Sequence, residues 1–162
     1  MNDYTAWLDG ACEPVNPGGT AVSGAIVKAK EGTVLLEEGR LVGNGEGMSN
    51  NVAEYAAIIR VFEYLIPCPP SHVIVRGDSS LVINQLSGKW AARKGLYYST
   101  CLEARELLCR LRSSGGQVEL HWIPRAQNEE CDALSRGTLA EARVLREIQP
   151  LGTPSGLPAW AN

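Results

Sequence analysis

The chain of 162 residues lacks the features that mark membrane and exported proteins. No apolar run approaches the roughly 20 residues needed to cross a bilayer, so no membrane span is expected. The start of the sequence, MNDYTAWLDG, carries an acidic residue at once and no positively charged segment, which argues against a secretory signal. We therefore expect a cytoplasmic protein with no membrane partner.

Paired cysteines and excess positive charge are also missing. The five cysteines form no CxxC pair, so we expect reduced, structural thiols rather than a zinc site. The net charge is −3 and the pI is about 5.4, which argues against binding nucleic acid through bulk positive charge. A local basic face remains compatible with this composition.

The order of the predicted elements indicates an α/β protein. Strand-like runs occur at 4–8, 20–27, 33–42, 72–76 and 118–123. Short turns separate the first three, which predicts an antiparallel meander, and a helix before the fourth implies a right-handed crossover and parallel pairing. The sequence thus predicts a mixed five-stranded sheet flanked by helices. We expect one domain over 1–147 and a Pro/Gly-rich tail over 148–162.

Capping residues place the helices. Ser49, Asn50 or Asn51 can cap the first helix, whose apolar stripe ends at a cluster of prolines. Thr100 is predicted to cap a later helix. Asn128 is predicted to open the last one.

Four acidic residues stand in distinct local motifs. Asp9 ends the first strand-like run and Asp78 the fourth, while Glu54 and Asp132 fall in the first turns of two predicted helices. Open α/β sheets place their sites at the carboxyl ends of strands, so these side chains can converge on one rim. Converging carboxylates lose protons or gain cations, and Mg²⁺ is the natural partner for such oxygen ligands.

Each acid also has an ordinary structural interpretation. Asp9 and Gly10 can form a turn at a strand end. Glu54 can favour a helix N-terminus, and Asp78 can belong to a helix cap. Asp132 can be an exposed first-turn acid. All these interpretations would have to hold together for an enzymatic one to fail.

The four motifs in combination resemble the type 1 ribonuclease H family. DG follows the first strand, NN-x-x-E opens the first helix, GDS follows the fourth strand and N-E-x-x-D stands near the end, across residues 4–138. The resemblance implies a ribonuclease H-like fold. It also implies an endoribonuclease that cleaves the RNA strand of RNA–DNA hybrids as a monomer with no obligatory protein partner.

The resemblance further implies a metal-dependent site. Two Mg²⁺ ions, with Mn²⁺ as a substitute, would be held by Asp9, Glu54, Asp78 and Asp132. Asp9 would bridge both ions, Glu54 and Asp78 would complete one ion site, and Asp132 would complete the other. Such an ion pair, ~4 Å apart, activates water and stabilises the leaving oxygen of a phosphodiester.

Contacts to the RNA strand are implied by residues around these acids. The residues concerned are Gly10, Asn16, Asn50 and Asn51. They would face the minor groove and its 2′-hydroxyls, which distinguish RNA from DNA. Helix capping is the alternative interpretation of Asn51.

Two departures from many family members concern substrate binding. The long basic insertion after the second helix is missing, and only Trp90 with Lys89, Arg93 and Lys94 would hold the DNA strand. A solvated helix end is the alternative for that cluster. The last loop carries Arg125 and no histidine, so Arg125 is expected either to contact phosphate or to be a surface charge.

Fold alone does not establish function, so two other functions stay open. One is a non-catalytic nucleic-acid-binding module, and the other is a structure-specific DNA nuclease. The presence of all four acids favours an enzyme, and the asparagine pair before Glu54 favours recognition of RNA. No separate N-terminal hybrid-binding domain is expected.

Overall fold

A computed structural model describes residues 2–69 and 71–148, with the side chains of 144–148 left out. Apart from Ile148, the predicted tail, including Trp160, lies outside the described residues. None of the helices in the described ranges is long and apolar enough to cross a membrane.

Five strands form one mixed sheet. They are β1 (Asn2–Glu13), β2 (Thr20–Ala29), β3 (Val34–Asn44), β4 (Ser71–Gly77) and β5 (Gln117–Trp122). Their order across the sheet is β3-β2-β1-β4-β5. The pairs β1–β2 and β2–β3 are antiparallel, whereas β1–β4 and β4–β5 are parallel. The predicted fold class, a meander extended by parallel strands, is confirmed.

Helices cover the two faces of the sheet unequally. They are α1 (Asn50–Leu65), α2 (Ser80–Leu86), α3 (Tyr98–Ser113) and α4 (Glu129–Ile148), with a 3-10 turn at Arg125–Gln127. The main core lies between one sheet face and α1–α3, where Leu8, Tyr55 and Phe62 are fully buried. On the other face, α4 packs over β1, β2 and β3 and leaves β4 and β5 open.

The strands follow the burial that these layers impose. Residues of β4 alternate between buried and half-buried, as expected for a strand with a helix on one face only. The first eight residues of β2 are all buried, because helices cover both of its faces. At Gly24 of β2 a Cβ atom would lie 2.6 Å from the Cys131 carbonyl oxygen, so glycine lets α4 approach the sheet closely.

Three sequence-based boundaries need correction. β1 does not end at Asp9 but continues to Glu13, because β2 supplies an antiparallel partner down to Thr20. Thr100 does not cap α3; it lies in the first turn, and its hydroxyl donates to the Tyr97 carbonyl at 2.8 Å. β5 begins and ends one residue earlier than predicted.

Other local predictions are confirmed. Among the three candidates for the α1 cap, Ser49 accepts from the Val52 amide, so Asn50 and Asn51 lie inside the helix. The first-turn amide of α4 at Asp132 donates to the Asn128 carbonyl, which places Asn128 at the start of that helix. All five cysteines are free.

Candidate active site

The register of the parallel pair β1–β4 brings Asp9 beside Asp78. The last paired residues are Leu8 on β1 and Gly77 on β4, so each acid is the next residue on its own chain. β4 ends there while β1 continues. Asp78 therefore lies at the carboxyl end of its strand, where open sheets place their sites.

Glu54 reaches the same position from α1. Gly10, directly after Asp9, is where β1 meets the helix: a Cβ atom there would lie 2.4 Å from the Glu54 nitrogen. Only glycine permits this approach without displacing α1. The close contact fixes the first turn of α1 over the end of β4 and buries Glu54, which is 6% exposed.

The three carboxylates form one cluster. Each of Asp9, Glu54 and Asp78 offers an oxygen atom within 4.8 Å of the other two. They line an open pocket of about 470 Å³, together with Gly10, Asn50 and Arg125. The Glu54 Oε2 atom is buried without a hydrogen-bond partner. Such an atom is costly unless it has a ligand, and a cation would satisfy it.

Burial and mutual repulsion make the charged forms of these acids unfavourable. Desolvation, followed by repulsion from Asp78, raises the pKa of Asp9 to about 6. The pKa of Glu54 is raised well above its usual value by burial and then by Asp9 and Asp78. Burial also raises the pKa of Asp78. The cluster stays fully ionised near neutral pH only if positive charge is supplied.

Asp132 stands apart from this cluster. Its Oδ2 atom lies 2.7 Å from Arg136 and its Oδ1 atom 3.1 Å from Arg125. No such ion pair joins a lysine or arginine of the described residues to the other three acids. The structure thus brings together three of the four predicted metal ligands and gives the fourth two arginine partners.

Asn128 connects these parts, and its side chain was not singled out from the sequence. The residue is 2% exposed, and its Nδ2 atom donates to the Leu8 carbonyl at 2.7 Å. Its own carbonyl accepts from Asp132 in the first turn of α4. Asn128 therefore ties the strand that carries Asp9 to the helix that carries Asp132. The N-E-x-x-D spacing was the available signal.

The predicted RNA-contacting residues lie at the pocket edge. Asn16 and Asn50 exchange two hydrogen bonds: the Asn16 amide donates to Asn50 Oδ1 at 2.8 Å, and the Asn50 backbone donates to Asn16 Oδ1 at 3.0 Å. The Asn51 side chain makes no hydrogen bond to another described residue. Trp90 is 48% exposed in the loop between α2 and α3, outside the pocket lining.

The donor set fits a hard divalent cation. Asp9, Glu54 and Asp78 supply carboxylate oxygens only, which is the ligand type preferred by Mg²⁺ and Mn²⁺. The unpartnered Glu54 oxygen is an independent sign of a missing positive partner. Among the described residues no other group of acidic, histidine or cysteine side chains meets the same spacing.

Comparison with known proteins places this sheet and its carboxylates in a class. A family model described as reverse transcriptase-like matches residues 8–138. A ribonuclease H from Paracoccus denitrificans is 31% identical, with 90% of this chain and 98% of that protein covered. The chain belongs to the type 1 ribonuclease H family.

Solved structures agree with this assignment. The N-terminal RNase H domain of a Mycobacterium tuberculosis protein superimposes with a TM-score of 0.76 at 28% identity, covering 90% of this chain and 99% of that one. RNase H1 from the archaeon Halobacterium salinarum gives a TM-score of 0.73 at 32% identity, covering 86% and 98%. The chain spans only 33% of the length of the complete M. tuberculosis protein, which is called bifunctional.

Proposed function

We propose that this protein is an endoribonuclease that hydrolyses the RNA strand of RNA–DNA hybrids with divalent cations. The observation that carries the proposal is the cluster of Asp9, Glu54 and Asp78 with its unpartnered Glu54 oxygen. Family membership supports the same reaction, since curated relatives from several bacteria are named ribonuclease H.

Asp9, Glu54 and Asp78 would hold the first cation, and Mg²⁺ is the ion proposed, with Mn²⁺ as a substitute. Asp132, beside the cluster, would contribute to a second after release from its arginines. Bound cations at such a site supply activated water and stabilise negative charge on the leaving oxygen. The protein contributes the rigid placement of these oxygens through the β1–β4 register and the Gly10 contact.

Arg125 is proposed to bind a phosphate of the RNA strand. Its side chain is 72% exposed, and it lines the pocket while pairing with Asp132 at 3.1 Å. Asp132 raises the pKa of this guanidinium further, so it stays charged under all working conditions. A planar guanidinium can hold a phosphate through two parallel hydrogen bonds, and one such contact would draw Arg125 away from Asp132.

The asparagines are proposed to read the RNA backbone. A 2′-hydroxyl both donates and accepts hydrogen bonds, and an amide side chain offers both complements. Asn50 lines the pocket and is held by Asn16, which fixes its orientation, while Asn51 on the next helical position is free to contact a ligand. Trp90 and its basic neighbours would pack against the DNA strand.

A cleavage assay tests the reaction and its substrate together. Purified protein with Mg²⁺ or Mn²⁺ should cut the RNA strand of a labelled hybrid and leave duplex DNA intact. Asp9→Asn should abolish cutting, whereas Asp3→Asn, the same change at an exposed site on the same strand, should preserve it. Cutting of duplex DNA alone would indicate a DNA nuclease. Binding without cutting of either, by folded protein, would indicate a binding module.

Monomeric action without an obligatory partner and a cytoplasmic location are proposed as well. The core between the sheet and α1–α3 is completed within this chain, which supports a monomer. Light scattering of the purified protein and cell fractionation test the two proposals.

A further inference from the structure

The open face of the sheet carries a second cavity next to the candidate active site. It measures about 620 Å³ and lies where α4 leaves β4 and β5 uncovered. Trp7, Arg76 and His121 form its floor, one from each of three adjacent strands in register. Lys28 and Trp122 also contribute to the lining. A cavity of this size accepts a group of small-ligand dimensions rather than a duplex.

Two cations lie over the indole of Trp7, and they differ in their partners. The Lys28 Nζ atom is 5.3 Å from the ring centroid and is paired with Glu130 at 2.9 Å. The Arg76 guanidinium is 5.7 Å from the same ring, and no carboxylate in the described ranges pairs with it. Stacking on the ring holds Arg76 in place and leaves its hydrogen-bond donors for a ligand.

Acidic residues limit where an anion can bind. Glu129 and Glu130, at the start of α4, also line the cavity. Because Glu130 already neutralises Lys28, the unpaired positive charge is concentrated at Arg76. A phosphate is therefore expected at the β4 side of the cavity and not beside α4.

Trp122 connects this cavity to the carboxylate pocket. Its side chain lines both spaces, and its residue is the register partner of Gly77, immediately before Asp78. The indole nitrogen donates to the Asp78 carbonyl at 3.1 Å, which fixes the ring, while the residue remains 54% exposed. An exposed and immobilised aromatic ring is a platform for stacking an unpaired base.

We propose that this cavity binds a single-stranded extension of the nucleic acid held at the carboxylate site. One base of the extension stacks on Trp122, and an adjacent phosphate binds Arg76. Continuity of the two spaces at Trp122 identifies the occupant as part of the same nucleic acid. The inference rests on the proposed function, because it takes the hybrid to be bound at Asp9, Glu54 and Asp78.

Binding of blunt and extended hybrids tests the inference without requiring cleavage. Labelled hybrids of equal duplex length, blunt or extended by a single strand of RNA or DNA at either end, are titrated with protein in EDTA. At least one extended hybrid should bind about fivefold or more tightly than the blunt one, the low end of what one stacked base contributes. Trp122→Leu should reduce this ratio, which is taken within each variant so that general losses of affinity cancel.

Arg76→Gln should remove much of the gain and lower the slope of log affinity against log salt on the extended hybrid by about 0.7, as for one phosphate on a single strand. Arg76→Lys should restore part of the gain. Arg110→Gln, which removes the same charge from the exposed surface of α3, should leave the ratio and slope unchanged. Melting curves establish that each variant is folded.

Two outcomes would overturn the inference, and they differ in meaning for the proposed function. If the protein binds blunt hybrids and no extension tightens binding, the cavity is not a subsite while the proposed function stands. Equal effects of Arg76→Gln and Arg110→Gln have the same meaning. If folded protein binds neither blunt nor extended hybrids, the proposed function fails and the inference fails with it.

Discussion

The four acids of the site fall into two electrostatic states. Asp9, Glu54 and Asp78 are grouped within 4.8 Å with raised pKa values and without arginine or lysine ion pairs, whereas Asp132 is paired with Arg125 and Arg136. The difference shows that one part of the site needs added positive charge and the other already has it. A cation is therefore expected to bind the cluster first and to recruit Asp132 only after competition with its arginines.

The largest expected effect of this difference is on catalysis. Asp9→Asn should lower the rate of hybrid cleavage about a thousandfold or more, since it removes charge stabilisation of several kcal/mol at 1.36 kcal/mol per tenfold. Asp132→Asn should cost only about tenfold, because the charge it removes is already balanced by arginines. Single-turnover cleavage rates measure both. Equal losses would mean that the two parts of the site act as one unit.

Stability of the metal-free protein should change in the opposite direction. The pKa of Asp9 rises on folding from 3.8 to about 6, so the folded chain binds more protons than the unfolded chain between these values. Stability is therefore lost as the pH rises through this range and stays lower above it. Asp9→Asn should recover up to about 3 kcal/mol of unfolding free energy at pH 8 and little at pH 4.

Urea unfolding in EDTA at the two pH values measures this gain. Asp132→Asn is the matched comparison, and it should destabilise slightly, since it leaves Arg125 and Arg136 without their partner. A gain at pH 4 as large as that at pH 8 would exclude the electrostatic origin.

Divalent cations should produce a smaller, saturable stabilisation. An ion at 100 times its dissociation constant adds about 2.7 kcal/mol, or roughly 5–10 °C in Tm for a domain of this size. We expect Mg²⁺ or Mn²⁺ to raise the Tm of the native protein at pH 8, and Asp9→Asn to abolish the rise. Asp132→Asn should retain most of it. Loss of the rise in both variants would show that Asp132 is needed for the first ion.

The sequence predicted the elements that carry the site better than the contacts between them. Periodicity and capping located α1 and Ser49, because both depend on residues close in the chain. The pairing of Leu8 with Gly77 depends on a crossover between distant strands, and no local pattern encodes its register. Thr100 was misjudged because a hydroxyl in a first turn can donate to the preceding turn as easily as accept from it.

Asp132 illustrates a local signal that was present but not used. Asp132 and Arg136 stand four residues apart, the spacing that brings opposite charges together on a helix. Arg125, in contrast, reaches Asp132 only because a 3-10 turn bends the loop before α4. The sequence therefore permitted half of this ion-pair arrangement to be predicted, and the other half required the loop geometry.

The smallest expected effect isolates the helical partner of Asp132. Arg136→Gln should change the unfolding free energy by no more than about 0.5 kcal/mol, since the pair lies on an exposed helix surface. It should nevertheless lower the Mg²⁺ concentration needed for half-maximal cleavage, because one competitor for Asp132 is gone. Arg143→Gln is the control, as Arg143 is on the same helix and pairs with Glu13 at 2.9 Å, away from Asp132. If both variants require the same Mg²⁺ concentration as the native protein, Arg136 does not compete with the cation, and Arg125 alone would have to account for the separation of Asp132 from the cluster.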